Sequence, residues 1–248
     1  MAAIGVIPAR YGSTRYQGKV LADIHGKPMV QHVYERAARS RTLSRVIVAT
    51  DDQRVLEAVA RFGGEAVMTR PSHACGTDRV AEAAAGIEAE IVVNIQGDEP
   101  MLEPEMIDEV VELLRRTPKA GIATLMRRIA REEDLTQPGT VKVVADAWGM
   151  ALYFSRSLIP YPRFGTADFR AYDHIGIYGF TKGALIRFGA LAPSRLELIE
   201  GLEQLRALEH GIPIVVAETR CAAEAVCVDT EEDLERVRAL LASSEPAA

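Results

Sequence analysis

The chain has 248 residues, 48% of them hydrophobic and 26% charged, with a formal net charge of −6. That length suits one large domain, or a domain with a sizeable insertion, around a real core. The acidic balance excludes a nucleic-acid binder that works through a basic surface, and no stretch approaches the roughly 20 apolar residues needed to span a bilayer. The N-terminus lacks the basic-then-apolar layout of a secretory leader. Cys75, Cys221 and Cys227 are odd in number and without metal-site spacing, so they read as free thiols of a reducing cytoplasm. The expectation is a cytoplasmic protein with no membrane insertion and no nucleic-acid partner.

The first apolar run, Ile4 to Ile7, predicts a buried strand that breaks into the loop Pro8-Ala9-Arg10-Tyr11-Gly12-Ser13-Thr14-Arg15-Tyr16-Gln17-Gly18-Lys19. Two glycines, two hydroxyls, two arginines and a lysine beyond a strand end suit a polyphosphate. A P-loop is excluded: Gly12 and Gly18 are one residue too far apart for G-x-x-x-x-G-K-[ST], and Val20 stands where the metal-binding hydroxyl belongs.

A helix follows from Pro28 to about Arg39, then a strand at Arg45 to Ala49 and a helix through Val55 and Val59 stopped by Gly63-Gly64. Next come a short strand at Glu65 to Met68 and a helix capped by Thr77. A strand at Glu90 to Ile95 leads into Gln96-Gly97-Asp98-Glu99-Pro100, and a further helix opens near Pro104. This alternation predicts an α/β fold, a doubly wound and mostly parallel sheet of Rossmann-like type.

After Gly121 the rhythm changes. Ile122 to Met126, Val141 to Ala145 and Met150 to Phe154 read as antiparallel additions that extend the sheet or meet another subunit. His174 to Phe180 is a strand, Lys182 to Gly189 and Ser194 to Glu209 are helices, Ile214 to Ala217 is a strand, and a last helix opens at Glu231. Val141, Val143, Trp148, Leu152 and Phe154 together give more apolar surface than one exposed sheet face should carry, which predicts a two-fold dimer. The organisation expected is one nucleotidyltransferase domain over 1–248. Its α/β half at 1–120 binds the nucleotide, 121–180 is the antiparallel extension, and 181–248 closes the site.

Asp98 ends a continuously apolar strand, and Asp229 follows Val226 and Val228 just before Thr230, which can cap the last helix. Two carboxylates from separate strand ends, facing a cationic loop, suit Mg²⁺ held against a triphosphate. The bland readings are a turn aspartate before Pro100 and a helix-capping acid.

The motifs Ile-Pro-Ala-Arg, Met-Thr-Arg…His…Gly-Thr-Asp-Arg, Asn-Ile-Gln-Gly-Asp-Glu-Pro, Ala-Leu-Tyr-Phe-Ser-Arg, His-Ile-Gly-Ile-Tyr-Gly-Phe, Leu-Glu-Gln-Leu-Arg and Val-Asp-Thr occur in order. Over essentially its whole length the chain resembles the 3-deoxy-manno-octulosonate cytidylyltransferases, or CMP-Kdo synthetases, of the acidic-sugar cytidylyltransferase family. The resemblance implies the nucleotidyltransferase fold and transfer of CMP from CTP to 3-deoxy-manno-octulosonate (Kdo) for lipopolysaccharide assembly, with Mg²⁺ as cofactor, in a homodimer. It implies catalytic roles for Arg10, Lys19, Asp98 and Asp229, the two aspartates as metal ligands. CTP would be held by Pro8, Ala9, Arg10, Gly12, Ser13, Lys19, Gly76, Thr77, Arg79 and Gln96. The acid sugar would meet Arg15, Gln96, Arg156, His174, Tyr178, Glu203 and Gln204.

Three features depart from the family pattern. Tyr16-Gln17 stands where Leu-Pro is usual, Cys227 stands near a usual glycine, and the segment from Pro162 to Asp173 is short. The alternatives are a cytidylyltransferase for 8-amino-Kdo or a sialic acid, and a non-catalytic binder of sugar nucleotides. A retired copy has no need of Lys19, Asp98 and Asp229, and all three are present.

Overall fold

A computed structural model of the chain describes residues 2–12, 16–73, 75–163, 169–222 and 226–244. They fall into two compact units, Met1–Asp108 with Cys221–Ala248, and Glu109–Arg220.

In the first unit, four strands pair in parallel in the order β6 (Ile91–Asn94), β1 (Ala3–Pro8), β4 (Leu43–Thr50) and β5 (Ala66–Met68). Their near-continuous Val and Ile runs are what a sheet buried on both faces requires. Helices α1 (Met29–Ala37), α2 (Gln53–Arg61) and α3 (Gly76–Ala84) return the chain between strands. Met29, Val30 and Val33 of α1 and Val55 and Val59 of α2 are fully buried. Each such side chain contributes about 1.5–3 kcal/mol. Asp52 caps α2 by accepting from the Arg54 N–H at 2.9 Å.

Two short strands, β2 (Asp23–Ile24) and β3 (Lys27–Pro28), form a separate antiparallel pair ahead of α1. Pro28 is therefore the extended residue before α1, and Met29 opens the helix. The C-terminal helix α8 (Glu231–Ser244) belongs to this unit: Leu234 and Val237 share a core with Ile24, Met29 and Val228. Thr230 caps it as expected, accepting from the Asp233 N–H at 3.2 Å while the Asp233 carboxylate accepts from the Thr230 N–H at 2.9 Å.

Helix α4 (Pro104–Arg116) carries the chain into the second unit. There β7 (Ile122–Arg128) pairs in parallel with β11 (Ile214–Glu218) and antiparallel with β10 (Tyr172–Thr181). Strands β8 (Lys142–Ala145) and β9 (Ala151–Ser155) form an antiparallel hairpin joined to β10. The antiparallel reading therefore holds for β8 and β9, while β7 is mixed, antiparallel to β10 and parallel to β11. Helix α5 (Lys182–Gly189) falls where the sequence placed it.

The single helix expected over 194–209 is two, α6 (Arg195–Glu200) and α7 (Gln204–Glu209), broken at Gly201. Gly201 has φ 62°, the left-handed conformation that glycine adopts without steric cost. Leu198 and Ile199 of α6, which leucine spacing along one continuous helix would place in the core, are largely exposed.

Candidate active site

Beyond the C-terminal ends of the first unit's strands lies a cleft of about 230 Å³ lined by Pro8, Arg10, Lys19, Arg79, Gln96, Asp98 and Asp229, among others. Open parallel sheets place ligands at this edge. Its backbone floor is set by Gly97, where a Cβ would lie 2.8 Å from the Pro8 carbonyl oxygen, so only glycine lets the two loops approach this closely.

The carboxylates converge through main-chain bonding. Val228, fully buried against α8's core, donates its N–H to the Asp98 carbonyl at 2.9 Å. That bond ties the segment bearing Asp229 to the end of β6. Lys19 then bridges both side chains, its Nζ 2.7 Å from Asp98 Oδ2 and 3.1 Å from Asp229 Oδ1, with a third bond to the Val228 carbonyl at 3.0 Å. Burial by itself would lower the Lys19 pKa, but the charges and hydrogen bonds of the two aspartates outweigh it and hold the pKa above the usual lysine value. Burial and the Asp98 charge push the neighbouring Glu99 up to about 8, so it is largely uncharged at neutrality. Burial, with the charges of Asp98 and Asp229, likewise raises the Cys227 thiol.

Asp229 is thus turned toward Lys19, and helix capping is done by Thr230 and Asp233. Two oxygen ligands already gathered around one ammonium are a donor set that fits a hard divalent cation.

The remaining nucleotide candidates divide. Arg10 is exposed at the cleft, while the Ala9 N–H is taken by the Ala49 carbonyl at 2.8 Å. Gly12 is exposed, and the Gly18 N–H bonds to the Tyr11 carbonyl at 2.8 Å. Ser13 and Arg15 lie outside the described residues. Gly76 opens α3 at the cleft, with Cys75 in the N-cap position. Thr77 is therefore not the cap; it is buried, accepting a hydrogen bond from Asn94 Nδ2 at 3.0 Å. Arg79 reaches the cleft lining but commits its guanidinium to Asp51 at 2.8 Å and Thr69 at 2.5 Å. It thereby ties α3 to the residues that follow β4 and β5. His73 also lines the cleft and had no role assigned from sequence, although its motif position, shortly before Gly76 and Thr77, was visible.

The sugar candidates other than Arg15 and Gln96 lie in the second unit. On β10, a register shift between Ile175 and Tyr178 places the His174 and Tyr178 rings 5.4 Å apart, and His174 meets Phe154 edge-on at 4.9 Å. Burial pushes the His174 pKa down to about 3, so it is a neutral hydrogen-bonding group at pH 7. Its Nε2 lies 3.0 Å from the Thr124 hydroxyl. Arg156 donates to the carbonyls of Pro138 (2.7 Å), Glu200 (2.8 Å) and Gly201 (3.3 Å), tying the hairpin to the α6–α7 turn. Glu203 stands in the N-cap position of α7 and Gln204 opens the helix, its Nε2 buried without a hydrogen-bond partner among the described residues.

Parallel strands, crossover helices and a cationic loop facing paired carboxylates define a nucleotidyltransferase. Residues 4–216 match the cytidylyltransferase family model, and the chain belongs to that family. It is 51% identical over 242 residues to a 3-deoxy-manno-octulosonate cytidylyltransferase of Geobacter sulfurreducens, covering 94% of this chain and 96% of that one. A Syntrophus aciditrophicus protein of the same name is 52% identical over 95% of this chain and 96% of its own length. A solved CMP:2-keto-3-deoxy-manno-octonic acid synthetase complexed with CTP superposes with a TM-score of 0.94 at 47% identity, over 99% of this chain and all of that one. At 13% identity, a 4-diphosphocytidyl-2C-methyl-D-erythritol synthase from Anaerococcus prevotii, with a TM-score of 0.64, shares the fold. The resemblance read from the motifs is borne out.

Proposed function

We infer that this chain transfers CMP from CTP to Kdo, releasing pyrophosphate. The observation that carries this is the Lys19–Asp98–Asp229 constellation in a cleft also lined by Arg10, in a chain about half identical to enzymes of that name. In the reaction the sugar's anomeric hydroxyl bonds to the α-phosphorus as the bond to the β-phosphate oxygen breaks.

We further propose Mg²⁺ dependence, with Asp98 and Asp229 holding the ion. When bound, Mg²⁺ supplies positive charge against the phosphates and lowers the pKa of a coordinated hydroxyl. The chain's own contribution is electrostatic. Lys19 would turn its ammonium from the carboxylates to the phosphates and, with Arg10, would offset the charge that builds on departing pyrophosphate. Pro8 and Gly76 shape the nucleotide's seat, and Gln96 offers an amide at its edge. Within the second unit the acid sugar is proposed to meet Arg156, His174, Tyr178, Glu203 and Gln204, and the buried amide of Gln204 supports this as a donor held for a ligand. Pyrophosphate release with CTP, Mg²⁺ and Kdo, and little with ATP or GTP, is the expected result. Equal use of the purine nucleotides contradicts it.

We also propose a homodimer formed through the second unit. Val143 and Phe154 proved to be core and Val141 half-buried, but Trp148 and Leu152 are largely exposed at the β8–β9 hairpin, and Leu198 and Ile199 add to the unit's open apolar surface. Light scattering at micromolar concentration is expected to give two 27.0 kDa chains, and Trp148→Ser with Leu152→Ser to shift the mass toward one. A monomer in the unsubstituted protein contradicts the assignment.

A further inference from the structure

Cys227 has no part in the chemistry above, yet it stands beside both carboxylates. Its Sγ and one oxygen each from Asp98 and Asp229 all lie within 4.8 Å of one another. Val228, between Cys227 and Asp229, is turned into the core and bonded to the Asp98 carbonyl, so the residues on either side of it are directed the other way. The three donors thus sit on main chain fastened at one point. The carboxylate pair already holds a positive charge, the Lys19 ammonium, in contact with both aspartates.

We propose that Asp98, Cys227 and Asp229 form a three-donor site for a thiophilic divalent cation such as Zn²⁺ or Cd²⁺, which excludes Mg²⁺ from the carboxylates when it binds. Mg²⁺ takes oxygen ligands and gains little from sulfur, whereas zinc binds thiolate, imidazole and carboxylate together. Bonds of about 2.3 Å to sulfur and 2.0–2.2 Å to oxygen place tetrahedral donors roughly 3.6 Å apart. The triangle, with no side longer than 4.8 Å, therefore has to close by at most about an ångström, within reach of side-chain rotation. Binding replaces the thiol proton with the metal, the proton leaving to solvent, and returns the Lys19 ammonium to the cleft. The fourth position is left for water or a ligand atom.

The proposal uses the carboxylates of the Mg²⁺ reading but neither substrate, so it is tested on the free protein. Titration with Cd²⁺ is followed by the ultraviolet sulfur-to-cadmium charge-transfer band, and Zn²⁺ affinity by competition with a chromophoric chelator. The band is expected to saturate at one equivalent in the unsubstituted protein and in Cys75→Ser and Cys221→Ser. It is expected to vanish in both Cys227→Ser and Cys227→Ala, with Zn²⁺ bound at least about tenfold more weakly. Asp98→Asn is expected to keep the band but require more Cd²⁺ to fill it. A band that is absent from the unsubstituted protein, survives loss of Cys227, or disappears with Cys75 instead overturns the proposal. Failure of cytidylyl transfer leaves these titrations unchanged, so the two readings fall separately.

Discussion

Asp98→Asn is expected to lower CTP-dependent turnover by about 10²–10³ while leaving the melting temperature nearly unchanged, the usual size of effect when one charge that stabilises a transition state is removed. The asparagine keeps the shape and the hydrogen bond to Lys19 but loses the anionic oxygen that a hard cation needs. Asp229→Asn is expected to behave alike. Thr230 and Asp233 cap α8, so little stability rests on the Asp229 carboxylate beyond its ion pair at 3.1 Å. Because both groups serve one assembly, the double variant should lose much less than the product of the single losses. Strictly multiplicative losses, or near-full activity in either single variant, contradict a shared cation.

Lys19→Met is expected to lower turnover by a similar factor, about 10²–10³, through loss of charge against the leaving pyrophosphate. It differs from the aspartate variants in stability. It leaves two carboxylates facing each other, at a cost of about 1–3 kcal/mol, less than for a fully buried pair because both aspartates keep some exposure. The partners raise the Lys19 pKa on folding, so the ion pair's contribution is complete below the ordinary lysine value of 10.5 and fades as pH rises through the higher folded value. The difference in melting temperature between the two proteins should accordingly be constant near neutrality and shrink in strong alkali. Mg²⁺ without substrates should raise the variant's melting temperature more than the parent's, since no ammonium competes for the carboxylates. An equal Mg²⁺ response in the two proteins contradicts the displacement of Lys19.

The sheet was largely legible because its strands are unbroken apolar runs: Ile4–Ile7, Arg45–Ala49 and Glu90–Ile95 all lie within two residues of β1, β4 and β6. What the pattern hid was conformational. Leucine spacing runs through 194–209 as if the helix were continuous, and only the positive φ of Gly201 breaks it and leaves Leu198 and Ile199 exposed. Thr77 is a good capping residue by type, but helix α3 starts one residue earlier and an Asn94 amide claims the hydroxyl. The carboxylate pair was readable as two acids facing a cationic loop, but only Asp98 follows a strand: the segment before Asp229, expected as a strand end, is irregular. That Lys19 bridges them, 210 residues before Asp229, depends on the Val228 bond to Asp98 and the packing of α8, which no local pattern encodes. Likewise the arginine of Gly-Thr-Asp-Arg was visible, but not that Asp51 and Thr69 would claim its guanidinium.

The most direct measurement is a one-pot competition in which the protein, CTP and Mg²⁺ meet equal amounts of Kdo and N-acetylneuraminate, with the products distinguished by phosphorus NMR. The account predicts that the CMP ester of Kdo forms first and dominates, in step with pyrophosphate. Predominant formation of the N-acetylneuraminate ester, or pyrophosphate release with no sugar ester at all, would contradict it.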